Sequence, residues 1–130
     1  MQGALFGLKV LDLTEDIAGS FCTRLLADYG ADVLKVEPPQ GSAMRRMGPF
    51  FQDDPDPEKS LFFLAMNLNK KGSTLNLESS EGQKIFKELV SRVDVVVESY
   101  RPGYLGSLGL GYPDLETINP SLVMTSRNKA

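Results

Sequence analysis

KVLDLTEDIAGSFCTRLLADYGADVLKVE, residues 9–37, sets two short β-prone runs on either side of a helical one. Lys9 to Leu13 is apolar and β-prone, and the polar turn Thr14-Glu15-Asp16 follows it directly. From Ala18 to Tyr29 the apolar residues Phe21, Leu25, Leu26 and Tyr29 recur at helical spacing, and Gly30 stands where a left-handed C-cap is wanted. Ala31 to Glu37 is a second β-like run. The short links predict a right-handed strand-helix-strand unit with parallel strands.

Working outward, Pro38 to Lys59 is rich in Pro, Gly, Asp and Gln and reads as an exposed excursion, a place where function often resides. Leu61 to Asn67 predicts a short helix, and Ser73 to Leu77 alternates polar with apolar as an exposed strand does. Ser80 and Gln83 form a capping box ahead of Ile85, Phe86, Leu89 and Val90 on one helical face. Asp94 to Glu98 is a continuous apolar run, as in a parallel strand covered on both faces. Pro102-Gly103 and the glycines at 106, 109 and 111 make a turn-rich stretch, before a short helix at 113–118 and a fourth strand over Ser121 to Thr125. Alternating strands and helices predict an open doubly wound α/β sheet, which binds ligands at the carboxyl ends of its strands.

The 130 residues, 42% hydrophobic and 24% charged, suit one globular domain. A net charge of −3 gives no global field to draw the chain onto nucleic acid or an anionic membrane, so any anion must be held locally. No histidine is present, which excludes Ser-His-Asp and Cys-His chemistry and the commonest zinc ligand within these residues. The single Cys22 cannot form an internal disulfide and suits a reducing compartment, so a cytoplasmic location is expected. Neither a signal peptide nor a membrane-spanning run is read in the sequence.

Candidate sites follow from the strand ends. The loop 14–20 meets the amino terminus of a helix, where free N–H groups favour an anion, but it has Gly19 alone where a dinucleotide fingerprint needs three glycines. Glu37 sits where a ribose-binding acid would, and reads more simply as an exposed strand-end carboxylate. Lys70 and Lys71 read either as a phosphate-neutralising pair or as a solvated turn, and Arg45 and Arg46 either close over a polyanion or keep a loop soluble. Glu98-Ser99-Tyr100-Arg101-Pro102-Gly103 joins an aromatic, a guanidinium and a rigid turn at a strand end, a combination able to sandwich a purine and hold a phosphate. Cys22, among apolar neighbours, reads as a buried structural thiol.

Whole phrases then resemble one family. LKVLDLT followed by AG, LADYGADVLKVEPP, NKK, LNLESSEGQKIFKELV, DVVVESYRPGYL, LGLGYPDL and INPSLVMTS are similar to the family III CoA-transferases, from about Leu8 to Ser126. These include formyl-CoA and carnitine CoA-transferases and α-methylacyl-CoA racemase. The resemblance implies a Rossmann-like, mostly parallel open sheet with helices on both faces, and coenzyme A lying over the carboxyl ends of its strands as a substrate. No covalently bound cofactor and no metal are implied. Two full-length chains would thread through each other as an interlocked homodimer, acting on an acyl-CoA and a carboxylic acid, with no nucleic-acid or membrane partner. The implied CoA-contacting positions are Ile17, Ala18, Pro38, Leu75, Asn76, Leu77, Glu78, Ser99, Tyr100, Arg101 and Ser107.

Three of those positions depart from the family's usual residues: asparagine is common where Ser99 stands, arginine where Ser107 stands, and often a basic residue where Pro38 stands. A lost charge beside a phosphate removes a hydrogen bond worth about 1.5–3 kcal/mol. Relatives continue past the fourth strand to an aspartate nucleophile, whereas this sequence reads Ser126-Arg127-Asn128-Lys129-Ala130, so none of its aspartates is assigned a catalytic role. The expectation is the amino-terminal part of an incomplete large domain, residues 1–130, without the small domain and the carboxyl-terminal return, and inactive alone. A non-catalytic CoA-binding or interaction module and a fragment of an acyl-CoA racemase remain the alternatives, and the missing glycines count against a nicotinamide-dependent oxidoreductase. Apolar surface that the remainder would cover is expected to promote association.

Overall fold

The computed structural model describes residues 2–127, and the last part of the departure just noted, residues 128–130, lies outside them. Among the described residues five strands form one sheet: β1 (Lys9–Leu13), β2 (Asp32–Glu37), β3 (Lys71–Thr74), β4 (Val95–Glu98) and β5 (Val123–Ser126). Their order is β3-β2-β1-β4-β5 and every pairing is parallel. The chain builds from β1 outward on one side, then crosses to β4 and β5 on the other. The winding therefore reverses beside β1, where open α/β sheets leave a crevice for ligands.

The same residues hold five α-helices in the connections: α1 (Ile17–Asp28), α2 (Leu61–Met66), α3 (Ser80–Val90), α4 (Tyr104–Ser107) and α5 (Tyr112–Ile118). Short 3-10 turns at Ala43–Arg46, Phe51–Asp53 and Pro57–Lys59 lie in the long connection after β2. Strand alternation divides the core. Leu11, Leu13, Val36 and Val96 face Phe86 and Val90 of α3, with Leu105, Leu110 and Leu115 beyond. Val10, Val33 and Val97 face Ala27 and Ala31 on the opposite side. Both faces of β4 are thus covered, as its unbroken apolar run predicted.

Helix α1 ends as its sequence predicted. Gly30 has φ 108°, its N–H bonds the Ala27 carbonyl at 3.0 Å, and the Ala31 N–H bonds that of Leu26 at 3.0 Å, the two bonds of a Schellman cap. Its packing differs from expectation, because the buried side is Gly19, Ser20, Thr23 and Ala27 rather than the larger residues. Close approach to the loop that follows β1 decides this at the start of the helix: a Cβ on Gly19 would stand 2.5 Å from Thr14 Cγ2 and 2.6 Å from Asp16 Oδ1. Phe21, Leu25 and Tyr29 are left exposed, joined by Leu61, Leu64 and Leu68 of the α2 region. Cys22 is exposed as well, which corrects its reading as a buried thiol.

Other differences are smaller. The exposed strand begins at Lys71 and ends at Thr74, earlier than the alternation at 73–77 suggested, and the last strand begins at Val123. Helix α3 is capped by Ser79, whose hydroxyl accepts the Gly82 N–H at 3.0 Å; Gln83 turns back to the Leu77 carbonyl at 3.0 Å. The capping residue is therefore Ser79 and not Ser80. The turn-rich stretch 102–111 also holds the single-turn helix α4, whose Leu105 is buried. Among the described residues no helix is long and apolar enough to cross a membrane.

Candidate functional site

At the centre of the sheet β1 carries one charge, Asp12, in an otherwise apolar strand beyond Lys9, and the register places it beside Lys35 of β2. Asp12 is fully buried. Its Oδ1 accepts from Thr14 N at 2.9 Å and Thr14 Oγ1 at 2.5 Å, and its Oδ2 from Thr23 Oγ1 and Lys70 Nζ, each at 2.8 Å. Lys35 Nζ lies 3.9 Å from the same carboxylate and donates to the Thr14 carbonyl. Lys70 also donates to Ser20 O at 3.1 Å and Asn67 Oδ1 at 2.7 Å. Burial alone would raise the Asp12 carboxyl, but Lys35 and Lys70 beside it, with the hydrogen bonds from Lys70 and Thr14, hold it below the ordinary value.

This network corrects the reading of Lys70 and Lys71 as one unit. Asn69, in the left-handed region at φ 65°, precedes a side chain that turns inward, Lys70, at 1% exposure. Lys71 is exposed and pairs with Asp32 at 3.3 Å. Burial is the main influence that lowers the Lys70 ammonium, against the pull of Asp12. The network therefore pins the loop after β1, the start of α1 and the α2–β3 link to one another. Sequence reasoning missed it. The available signal was opposite charges at matching positions, Lys9 with Asp32 and Asp12 with Lys35, in two otherwise apolar segments, KVLDL and DVLKV.

Glu37 at the end of β2 is buried, not exposed, and is no free ribose acceptor. Arg45 holds it with two forked bonds, Nε to Oε2 and Nη2 to Oε1, each at 2.7 Å, and Ser42 N adds a third at 2.8 Å. Burial pushes the Glu37 carboxyl up, but the bonds from Arg45 and Ser42 outweigh that and keep it low. The Arg45 guanidinium also lies 3.9 Å over the Phe63 ring. The two arginines in this loop thus separate: Arg45 is structural, and Arg46 is exposed.

Beyond these strand ends lies an open cavity of about 440 Å³. Pro38, Leu75, Asn76, Leu77, Glu78 and Tyr100, six of the sequence-predicted positions, line it, with Glu15, Arg46 and Tyr104. A second cavity of about 380 Å³ adjoins it and is lined by Ser99, Tyr100, Arg101, Pro102 and Tyr104. The two share a tyrosine pair whose ring centroids are 4.9 Å apart at 43°. Burial raises both hydroxyls, and Tyr104 donates to Glu78 Oε1 at 3.0 Å, which raises it further. Ser99 Oγ accepts the Glu15 N–H at 2.7 Å and so ties the end of β4 to the loop after β1. Burial also raises the Glu15 carboxyl, against a 3.1 Å bond from Ala43 N.

The remaining predicted positions lie elsewhere. Ile17 and Ala18 are exposed on the first turn of α1, and Ser107 ends α4 with its hydroxyl on the Tyr104 carbonyl at 2.6 Å. None of the three lines either cavity. At the start of α1 the Asp16 carboxylate itself accepts the Gly19 N–H at 3.0 Å, in the place where the loop was read as receiving an anion. What the crevice offers is a tyrosine pair, residues 75–78 of the β3–α3 loop, and one guanidinium in each cavity, Arg46 and Arg101, a setting for a flat heterocycle bearing phosphates. Among the described residues no group of three or more His, Cys, Asp or Glu is placed to hold a metal ion.

Comparison with known proteins bears on this geometry. The profile of the family described as "CoA-transferase family III" matches residues 5–129. A succinyl-CoA:mesaconate CoA-transferase of Haloarcula marismortui is 44% identical over 125 residues, which are 96% of this chain and 32% of that protein. The human succinyl-CoA:glutarate CoA-transferase is 44% identical over 123 residues, 94% of this chain and 27% of its own length. Among solved structures, a CAIB/BAIF family protein from Brucella suis superposes with a TM-score of 0.87 at 36% identity, over 97% of this chain and 33% of that one. The chain thus spans about a third of the length of the relatives it matches.

Proposed function

This chain belongs to CoA-transferase family III, and we propose that it supplies the coenzyme A-binding part of an enzyme that moves CoA from an acyl-CoA to a carboxylic acid. The observation that carries the reading is the cavity beyond β1, β2 and β4, where Pro38, Leu75 to Glu78 and Tyr100 come together from three separate stretches of sequence. Pro38, the backbone around Leu75 to Glu78, and Tyr100 form the adenine side of the site. Ser99 and Arg101 extend it past the tyrosine pair.

In the whole protein the nucleophile is an aspartate outside this chain. Its carboxylate attacks the thioester carbonyl, the CoA thiolate leaves, and a mixed anhydride forms; the thiolate then attacks the aspartyl carbonyl and releases the acyl group as its carboxylate. The aspartyl thioester repeats the sequence in reverse with the acceptor acid. No residue of this chain takes a covalent part, so the chain alone binds but does not turn over. The exposed Phe21, Leu25 and Tyr29 of α1 belong, in this reading, to a surface covered in the homodimer.

Amide chemical-shift mapping with CoA tests the site. Perturbations centred on residues 37–41, 75–78 and 99–101 support it. Shifts confined to the outer surface of α3 and α5 would refute it.

A further inference from the structure

The cavity is more acidic than a polyanion's site should be. Three carboxylates, Glu15, Glu37 and Glu78, line it against one guanidinium, Arg46. Glu37 is matched by Arg45, and Glu78 receives the Tyr104 hydroxyl. The other cations near the sheet are already committed, Lys35 and Lys70 to Asp12, and Lys71 to Asp32. The Arg46 side chain has no ion pair or hydrogen bond among the described residues, yet its backbone is held in place by its neighbours. It ends a 3-10 turn that starts from the Ser42 cap and is anchored by the buried Met44 and by Arg45 on Glu37. A free guanidinium on a fixed turn, facing a cavity with an aromatic wall, is the arrangement that holds a phosphate while a base lies against the ring.

We propose that Arg46, and not the adjacent Arg45, receives a phosphate of the nucleotide end of a CoA thioester, an assignment that rests on the CoA-binding reading above. The two arginines divide the work: Arg45 cancels Glu37 and fixes the turn, and Arg46 meets the ligand. Because Glu15 and Glu78 also line the cavity and Arg45 is spent on Glu37, loss of Arg46 leaves the phosphate beside carboxylates with no free cation in that cavity. The effect of removing it exceeds that of an ordinary surface arginine.

The test is calorimetric titration of the intact chain and of Arg46→Gln and Arg46→Lys with CoA, at low salt and again near 0.5 M, where the Debye length falls to a few ångström. Arg46→Gln should weaken CoA binding about tenfold or more at low salt, as expected for loss of a hydrogen bond to a charged group. Arg46→Lys should recover part of the loss, and the gap between wild type and Arg46→Gln should narrow at high salt. The side chain is exposed, so unchanged melting temperatures are expected and serve as the folding control. Wild-type binding with Arg46→Gln within twofold of it would overturn the assignment and leave the CoA reading standing. A wild-type chain that does not saturate with CoA would overturn both.

Discussion

Replacing Asp12 by asparagine removes the carboxylate that the buried Lys70 pairs with, while keeping the shape of the side chain. The substituted amide would still accept from Thr14, but two ammonium groups, Lys70 at 1% exposure and Lys35 at 2%, would lie within the fold without a counter-charge. Breaking one side of a buried pair costs about 3–5 kcal/mol, out of a total stability of about 5–15 kcal/mol for a domain. For a chain of this size that corresponds to a fall in Tm of about 10 °C or more. Lys70→Met is expected to cost less, because the Asp12 carboxylate keeps Lys35 at 3.9 Å and the hydroxyls of Thr14 and Thr23. The double variant Asp12→Asn with Lys70→Met should recover at least about 1 kcal/mol relative to the sum of the single changes, the coupling expected of groups in direct contact. Urea denaturation at pH 7, followed by far-ultraviolet circular dichroism, measures all three. A loss for Asp12→Asn under about 0.5 kcal/mol, the ordinary range of a surface change, would refute the account of the network.

Four further outcomes follow from the same structure. Ser79→Ala should destabilise α3 by about 1 kcal/mol while Ser80→Ala stays within about 0.5 kcal/mol, and thermal melts of the two distinguish the caps. Gly82→Ala should be strongly destabilising although alanine favours a helix by about 1 kcal/mol, because the added Cβ would run into the Asn76 carbonyl oxygen; a variant that melts at or above the wild-type temperature contradicts this. The Asp12 and Glu37 carboxyls are held low in the folded state, so their contribution is present above the unfolded value near pH 4 and is lost as pH falls through their folded values. Urea midpoints measured from pH 7 to pH 3 should therefore drop below about pH 4, and the drop should be shallower in Asp12→Asn. Glu15 runs the other way, its raised carboxyl costing stability at neutral pH, so Glu15→Gln should raise the midpoint at pH 7.

How far the sequence was legible depends on what each residue type is specific for. Apolar runs and glycines reported the fold well: the DVVVE strand is covered on both faces, and Gly30 takes the left-handed cap that its position after a helical stripe required. Periodicity misled on α1, where the large apolar residues are outside and the small ones inside. A stripe of large residues and a stripe of small ones share a period, and only how closely the helix approaches what it packs on decides which is buried. Charged residues were the least legible, since a lysine in NKK carries no local sign of whether it will be solvated or will reach Asp12, 58 positions earlier in the chain. The Arg45–Glu37 fork was hidden for the same reason. The strand-end loops were identified from physical argument and from resemblance together, and the structure brings six of the named positions into one cavity while leaving Ile17, Ala18 and Ser107 outside it. Those three occupy helix turns, where neighbourhood in sequence to a strand end does not ensure that a side chain faces the crevice.

The most direct test of the central claim is calorimetric titration of this chain with CoA at moderate salt, with NADH as the control ligand. The account predicts saturable binding of CoA at one site per chain and none of NADH. Saturable binding of NADH with no response to CoA would contradict it.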